Sequence, residues 1–528
     1  MPPIGTCRQG IADLRESMNI ATILDMAAEA FGDRVGVVAG PERWTYAELR
    51  NAAWRAAQEF KASGAQFVAL LDVVSPAAPV AIFGAAYAGL PYVPLNYRLT
   101  RAEINELVAR IAPAYLIAGA DYAPLLDRHE GTAVIARAAF LSNVRGGDVA
   151  PIAAGEDPRA IAVQLFTSGT TGKPKAAILR HENLMSYIVG TVEFGAAADD
   201  EVIAVTVPPY HIAGISSVLS STYACRRVVQ LENFDAKSWL EACRRERVTN
   251  AFLVPTMLAR IVDQIEAGTR ADLPALRAVA YGGGKMPLAT IQKAMRLWPH
   301  VDFTNAYGLT ETSSTIAVLG PVDHRVAVAS KDPQVHKRLT SVGKATGAVE
   351  IEIRDDAGGR LGPGEPGLVF VRGGQVSGEY LTQGSALDAD GWFSTRDRGY
   401  LDADGFLFLD GRADDVIVRG GENISPGEIE QVLVSHPAVA DAAVVAVPDE
   451  QWGEGVGAAV VLKPGARATA GELQELVKSQ LRSSRVPQSI VFREALPYNE
   501  TGKILRRVIR QEFAEARPDP GYKMRGQA

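Results

Sequence analysis

Ala160-Ile161-Ala162-Val163-Gln164-Leu165-Phe166-Thr167-Ser168-Gly169-Thr170-Thr171-Gly172-Lys173-Pro174-Lys175 is the stretch on which the fold of this chain turns. Its first half is apolar and short, as in a buried strand. Its second half, from Thr167, packs four hydroxyls, two glycines and two lysines into nine residues. Glycines let a backbone approach an anion closely, hydroxyls and backbone N–H groups donate to phosphate oxygens, and lysines add charge. The spacing is not that of G-x-x-x-x-G-K-[ST], which needs two more residues between the glycines and a hydroxyl after the lysine. A surface turn has the same composition, so taken alone the loop leaves both readings open.

Three further segments repeat the strand-then-loop pattern. Residues 202–207 run into Pro208-Pro209-Tyr210-His211, residues 276–281 into Gly282-Gly283-Gly284-Lys285, and residues 301–304 into Asn305-Ala306-Tyr307-Gly308-Leu309-Thr310-Glu311. Open α/β sheets bind ligands beyond the carboxyl ends of their strands, so four such loops are predicted to converge on one cleft. Short apolar runs alternate with helical periodicity over most of the chain, which predicts an α/β fold with much parallel sheet. Thr45/Glu48, Thr100/Glu103, Ser425/Glu428 and Thr469/Glu472 fit the S/T-x-x-E capping box and predict four helix starts; Pro426 suits a first helical position.

Residues 73–97 carry no charge and are long enough to span a bilayer. Pro76, Pro79, Pro91 and Pro94, with Gly84 and Gly89, interrupt them, so a buried helix near 79–88 and a buried strand at 92–95 are predicted instead. The chain has 528 residues, 47% of them hydrophobic and 22% charged, which suits a globular protein of several domains. Its formal net charge of -7 argues against a nucleic-acid binder, though a pocket can still be locally basic. Cys7, Cys225 and Cys243 form neither a metal-ligand pattern nor a disulfide framework, and the first residues lack an apolar signal core. A cytoplasmic protein is expected, without nucleic acid or a transmembrane segment, acting alone or as a homodimer. Near residue 412 the texture changes to a smaller α+β pattern: a helix near 426–435, strands at 442–447 and 456–462, and a helix at 471–482.

Single segments carry limited chemistry. A carboxylate beside a hydroxyl, as in Thr310-Glu311, can hold Mg²⁺ together with a phosphate oxygen, and it is equally an ordinary helix-start acid. Asp397, in the polar run 391–399, can accept from two ribose hydroxyls or pair with the flanking Arg396 and Arg398. Lys503, after the glycine of Asn499-Glu500-Thr501-Gly502, reads alone as a solvated surface charge.

Together, and in this order from about residue 45 to 507, these segments resemble the adenylate-forming superfamily of acyl-CoA synthetases, peptide-synthetase adenylation domains and luciferases. The resemblance implies a large N-terminal domain (1–413) of mixed, largely parallel sheets with helices. It also implies a small mobile α+β C-terminal domain (414–528), hinged at Asp414. It implies ATP, Mg²⁺ and coenzyme A. Thr167, Ser168, Gly169, Thr170, Thr171, Gly172, Lys173 and Lys175 would hold the triphosphate. Tyr307 would stack on adenine, beside Gly283, Gly284 and Lys285; Thr310 would contact the α-phosphate and Glu311 the metal. Asp397, assisted by Arg412, would hold the ribose. Lys503 would bridge the acyl carboxylate and α-phosphate, and Gly420 and Gly421 would reach the thiol tunnel after domain rotation.

Tyr210-His211, with no adjacent Asp to pair an amine, resembles the acyl- and aryl-CoA branch, with His211 near the acyl carboxylate. The acid pocket would be formed by His211, Ile212, Phe252, Gly282, Ala306, Gly308 and Ser313, a wall suited to a hydrophobic fatty, alicyclic or aromatic acid. A transfer to a carrier protein in place of CoA is the alternative. One departure stands out: the family has Gly before the ribose-binding Asp and an apolar residue after it, where this chain has Arg396 and Arg398.

Overall fold

A computed structural model of the chain describes residues 19–147, 149–167, 174–347, 349–420, 422–449, 451–498 and 504–515. The chain divides into two compact units: residues 1–282, 286–351 and 370–393 form one, and residues 283–285, 352–369 and 394–528 the other.

The first unit is built on two sheets. The nine-stranded sheet runs in the order Lys344–Ala345, Ser314–Leu319, Asp302–Leu309, Ala278–Gly282, Asn250–Leu253, Val202–Val205, Arg227–Gln230, Val35–Ala39, Glu42–Thr45. From Val35–Ala39 to Asp302–Leu309 every pairing is parallel; antiparallel strands close both edges. The eight-stranded sheet runs Gly384–Ser385, Glu379–Tyr380, Lys175–Arg180, Ile161–Thr167, Tyr92–Pro94, Phe67–Leu71, Ala114–Ala118, Ala133–Ala136. It is parallel from Ile161–Thr167 onward and antiparallel before it. This is the α/β architecture with largely parallel sheet that the apolar runs predict.

The charge-free segment forms helix Ala77–Ala88, buried from Ala77 to Tyr87, ended by Gly89 at φ +73° and followed by strand Tyr92–Pro94. Its all-round burial explains why it carries no polar face. At Gly84 it crosses helix Tyr46–Ala62 so closely that a Cβ would lie 2.9 Å from the Ala56 Cβ. No helix among the described residues is long and apolar enough to cross a membrane. Cys225 and Cys243 are buried free thiols, and burial pushes the Cys225 thiol up to about 11.

The second unit holds most of a sheet ordered Glu350–Arg354, Gly367–Arg372, Phe393–Leu401, Leu407–Arg412. A second sheet is ordered Glu422–Ile424, Ile417–Arg419, Gly453–Leu462, Val439–Asp449, with Ser489–Arg493 parallel to Gly453–Leu462. Helices Pro426–Ser435 and Ala470–Gln480 lie where the periodicity puts them. Inside it Arg506 joins elements distant in sequence: it donates to Glu430 at 2.6 Å and to the Val444 carbonyl at 3.0 Å, and pairs with Asp415 at 3.3 Å.

Three of the four predicted capping boxes form reciprocally, at Thr45, Thr100 and Thr469. The fourth does not. Ser425 makes no cap hydrogen bond, because its hydroxyl donates instead to the Asp410 carbonyl at 2.7 Å.

Candidate active site

The hydroxyl-rich segment is flanked by an antiparallel strand pair. Thr167 ends one strand, Lys175 begins the next, and the two pair across the ladder. Ser168, Gly169, Thr170, Thr171, Gly172 and Lys173 lie outside the described residues, as do Gly421 and Lys503. The flanks of the loop are held: Arg110 donates to the Pro174 carbonyl at 2.9 Å and stacks on the Phe166 ring at 4.9 Å.

The segment 305–309 is strand, not the predicted loop. Strand Asp302–Leu309 continues through it because Asn305 to Leu309 find antiparallel partners in Ser314–Leu319, with a bulge between Tyr307 and Gly308. The hairpin turns in one 3-10 turn, Thr310–Thr312, followed by Ser313 at φ +54° and Ser314 at φ +122°. Two consecutive non-glycine residues at positive φ are a strained bend that surrounding bonds must hold. The buried Thr312 side chain ties it internally, accepting from the Leu309 N–H at 3.0 Å and donating to the Ser314 carbonyl at 2.8 Å.

Segment 374–380, which no sequence motif marks, braces this bend. The backbone N–H groups of Ser377 and Gly378 donate to the Glu311 carbonyl at 2.9 and 3.1 Å. The Tyr380 hydroxyl donates to Glu311 Oε1 at 2.7 Å, and the Lys175 ammonium lies 5.4 Å from the centre of the same ring. Tyr380 also sits on strand Glu379–Tyr380, which pairs with Lys175–Arg180. The end of the hydroxyl-rich loop at Lys175 and the Thr310-Glu311 turn, far apart in sequence, thus meet through one phenol, a cation on its face and a carboxylate on its hydroxyl.

The predicted pocket residues gather on neighbouring elements. Gly282 pairs with Ala306, and a Cβ at Gly282 would lie 2.2 Å from the Ala306 carbonyl and 3.6 Å from the Phe252 ring. A Cβ at Gly308 would lie 1.7 Å from the Ser314 carbonyl, so both glycines are demanded by backbone approach. His211 caps helix Ile212–Tyr223; its ring packs on Tyr210 at 4.4 Å, and Tyr210 packs edge-on to Tyr97 at 5.2 Å. From the same helix Ser216 donates to the Ser313 carbonyl at 3.4 Å, joining the His211 end of the unit to the bend.

Asp397, Arg412, Asp414, Gly420 and the loop residues Gly283, Gly284 and Lys285 belong to the second unit, so the predicted set divides between the two. Asp397 is not in a loop: it lies buried in strand Phe393–Leu401, paired with Arg412 across the ladder, and the two side chains form an ion pair at 3.1 Å. The extra arginines pair with acids, Arg398 with Asp356 at 3.0 Å and Arg396, at φ +60°, with Asp414 at 3.6 Å. Gly420 takes φ +58° over Trp452, whose carbonyl accepts its N–H at 3.0 Å; Trp452 is a neighbour the sequence did not flag.

Among the described residues no group of three or more His, Cys, Asp or Glu side chains converges. Glu311 Oε1 is taken by Tyr380, and no described residue donates to Oε2. One carboxylate oxygen presented next to a hydroxyl and a phosphate-type loop fits a hard cation shared with phosphates, the usual Mg²⁺ arrangement.

Known proteins resemble the chain over most of its length. The chain is 32% identical over 494 residues to an indoleacetate–CoA ligase of Aromatoleum aromaticum, covering 90% of this chain and 94% of that one. It is 31% identical over 484 residues to a fatty acid–[acyl-carrier-protein] ligase of Streptomyces coeruleorubidus, covering 89% and 91%. The o-succinylbenzoate CoA synthetase of Bacillus subtilis, solved with its acyl-adenylate intermediate, superposes with a TM-score of 0.80 at 28% identity over 95% of this chain and 99% of that one. The AMP-binding enzyme model covers residues 24–381 and the AMP-binding enzyme C-terminal domain model residues 428–503. Matched by both models over most of its length, the chain belongs to the AMP-binding enzyme family.

Proposed function

We propose that this chain is an AMP-forming carboxylic acid:CoA ligase that works in two half-reactions on a hydrophobic acid. The observation that carries this is the meeting of Lys175 and Glu311 at Tyr380, which sets a cation and a metal-ready carboxylate at the mouth of a hydroxyl-rich loop. In the first half-reaction the substrate carboxylate attacks the α-phosphorus of ATP and pyrophosphate leaves. Charge builds on oxygens, so the reaction calls for donors and cations more than for a strong base. Residues 167–175 hold the triphosphate, Thr310 donates to the α-phosphate, and Glu311 supplies the carboxylate for Mg²⁺. That ion, when bound, neutralises phosphate charge during the displacement. Tyr307, with Gly283, Gly284 and Lys285, takes the adenine. Asp397, oriented by Arg412, takes the ribose, and Lys503 bridges the two reacting groups.

In the second half-reaction a thiol attacks the mixed anhydride and AMP leaves. His211 stands near the acyl carboxylate, the C-terminal domain (414–528) turns about Asp414, and Gly420 and Gly421 line the thiol's approach. The acid lies between Phe252, Ala306 and Ile212, apolar or small surfaces that give a second carboxylate no counter-charge. The second reading, transfer to a carrier protein, is favoured by the similarity to the carrier-protein ligase. A pyrophosphate-release screen over acids of differing length and ring content, with CoA or with a phosphopantetheinyl carrier protein, tests both. Acid-dependent pyrophosphate release with a CoA thioester is expected. A thioester on the carrier protein alone selects the second reading, and no acid-dependent pyrophosphate release refutes both.

A further inference from the structure

Glu311 stands on a strained bend that the Thr312 hydroxyl ties only in part. Ser313 and Ser314 occupy the left-handed half of φ space, at +54° and +122°, where non-glycine residues are disfavoured. Further bonds to the bend come from elsewhere in the chain. Gln375, wholly buried, spans it with one amide: Nε2 donates to the Thr312 carbonyl at 3.0 Å and to the Thr315 carbonyl at 2.9 Å, on either side of the two strained residues. Two residues on, Ser377 brings its N–H and its hydroxyl to the Glu311 carbonyl at 2.9 and 3.2 Å, and the Gly378 N–H adds a third bond at 3.1 Å. Tyr380 then reaches the carboxylate itself at 2.7 Å. One short segment therefore fixes the backbone before Glu311's bend, the backbone after it, and one oxygen of the side chain.

A carboxylate on an exposed turn ordinarily rotates among rotamers and offers either oxygen. Here Oε1 is engaged, and among the described residues no donor reaches Oε2. The phenol is itself held: its strand pairs with Lys175–Arg180, and its ring packs under the Lys175 ammonium. We propose that Gln375–Tyr380 is a positioning strap for the adenylation site, in which Tyr380 fixes one oxygen of Glu311 so that the other is presented to the divalent cation carried by ATP. Tyr380 is a positioning residue acting through Glu311, as an outer hydrogen-bond partner orients a metal ligand. This rests on Glu311 being the metal-binding carboxylate.

The test is Mn²⁺ binding to the full-length protein with ATP, followed by the loss of the free-ion electron paramagnetic resonance signal, in the wild type, Tyr380→Phe and Glu311→Gln. Phenylalanine keeps the ring and its contact with Lys175 and removes only the hydroxyl. Tyr380→Phe is expected to weaken Mn²⁺ binding about tenfold, the lower end of what loss of an outer-shell partner costs. Raising Mn²⁺ about tenfold should then restore the initial rate of pyrophosphate release, which a merely structural defect would not allow. Wild-type Mn²⁺ affinity in Tyr380→Phe, with weakened binding in Glu311→Gln, overturns the strap alone. Wild-type affinity in both variants overturns the assignment of Glu311 as well.

Discussion

Glu311 and Tyr380 mark the limit of reading single residues from a sequence. Glu311 was legible, because it follows a threonine after a strand and a hydroxyl-glycine run. Tyr380 was not, because nothing in its neighbours distinguishes an aromatic that packs from one that orients a carboxylate 69 positions away. Gln375 is a starker case, since its role lies in two carbonyls of a distant bend. The same holds for His181, which the sequence presents as one histidine among seven. It is almost fully buried, Nδ1 accepts from the Ile20 N–H at 3.3 Å, and burial pulls its pKa down from 6.5 to about 4, against a smaller upward pull from Asp157. The folded protein thus keeps this imidazole neutral where the unfolded chain protonates it. Between about pH 6.5 and 4 the unfolded state binds the extra proton, so stability falls as the pH falls through that window and levels below it. The loss from this one group approaches about 3 kcal/mol. Urea denaturation across that pH range is expected to show a shallower acid slope in His181→Gln than in the wild type.

Elements were more legible than residues, because helices and parallel strands write their burial into local pattern. The capping boxes at Thr45, Thr100 and Thr469 formed, and helix Ala77–Ala88 was visible from its missing charges. What failed were the ends of strands that pair late. Both Asp302–Leu309 and Phe393–Leu401 run on through glycine- or charge-rich residues because a following strand offers hydrogen-bond partners, information that is non-local. Ser425 failed for a similar reason, since a carbonyl from a preceding strand captured its hydroxyl. Glycines within helices make the point quantitative. Gly84 sits where a Cβ would press on Ala56, Phe60 and the Ala53 carbonyl, whereas at Gly471 a Cβ would meet nothing within 4 Å. Gly84→Val is therefore expected to lower stability by about 1–3 kcal/mol through overpacking. Gly471→Ala should raise it, by up to about 1 kcal/mol, through helix propensity and lost unfolded-state entropy. Thermal unfolding of the two variants beside the wild type gives the two signs directly.

At the scale of the whole molecule, the proposed catalytic set is shared between two units, and that division makes a kinetic prediction. If Lys503 serves only the first half-reaction, Lys503→Ala should slow acid-dependent pyrophosphate release by about 10²–10³-fold, the loss of one transition-state donor. Thioester formation from synthetic acyl-adenylate and CoA should be largely spared. Equal losses in both assays would show that the lysine is not withdrawn between them. The first unit also limits how freely its proposed pocket can change. Within the proposed acid pocket, Gly282 and Gly308 each face a main-chain carbonyl so closely that a single added carbon would collide with it. Backbone, unlike a side chain, cannot swing aside without dismantling the sheet. Selection, or an engineer with a saturation library, therefore finds those two positions closed. New acids have to be accommodated by trading the side chains of Phe252, Ala306 and Ile212 around a pair of fixed points.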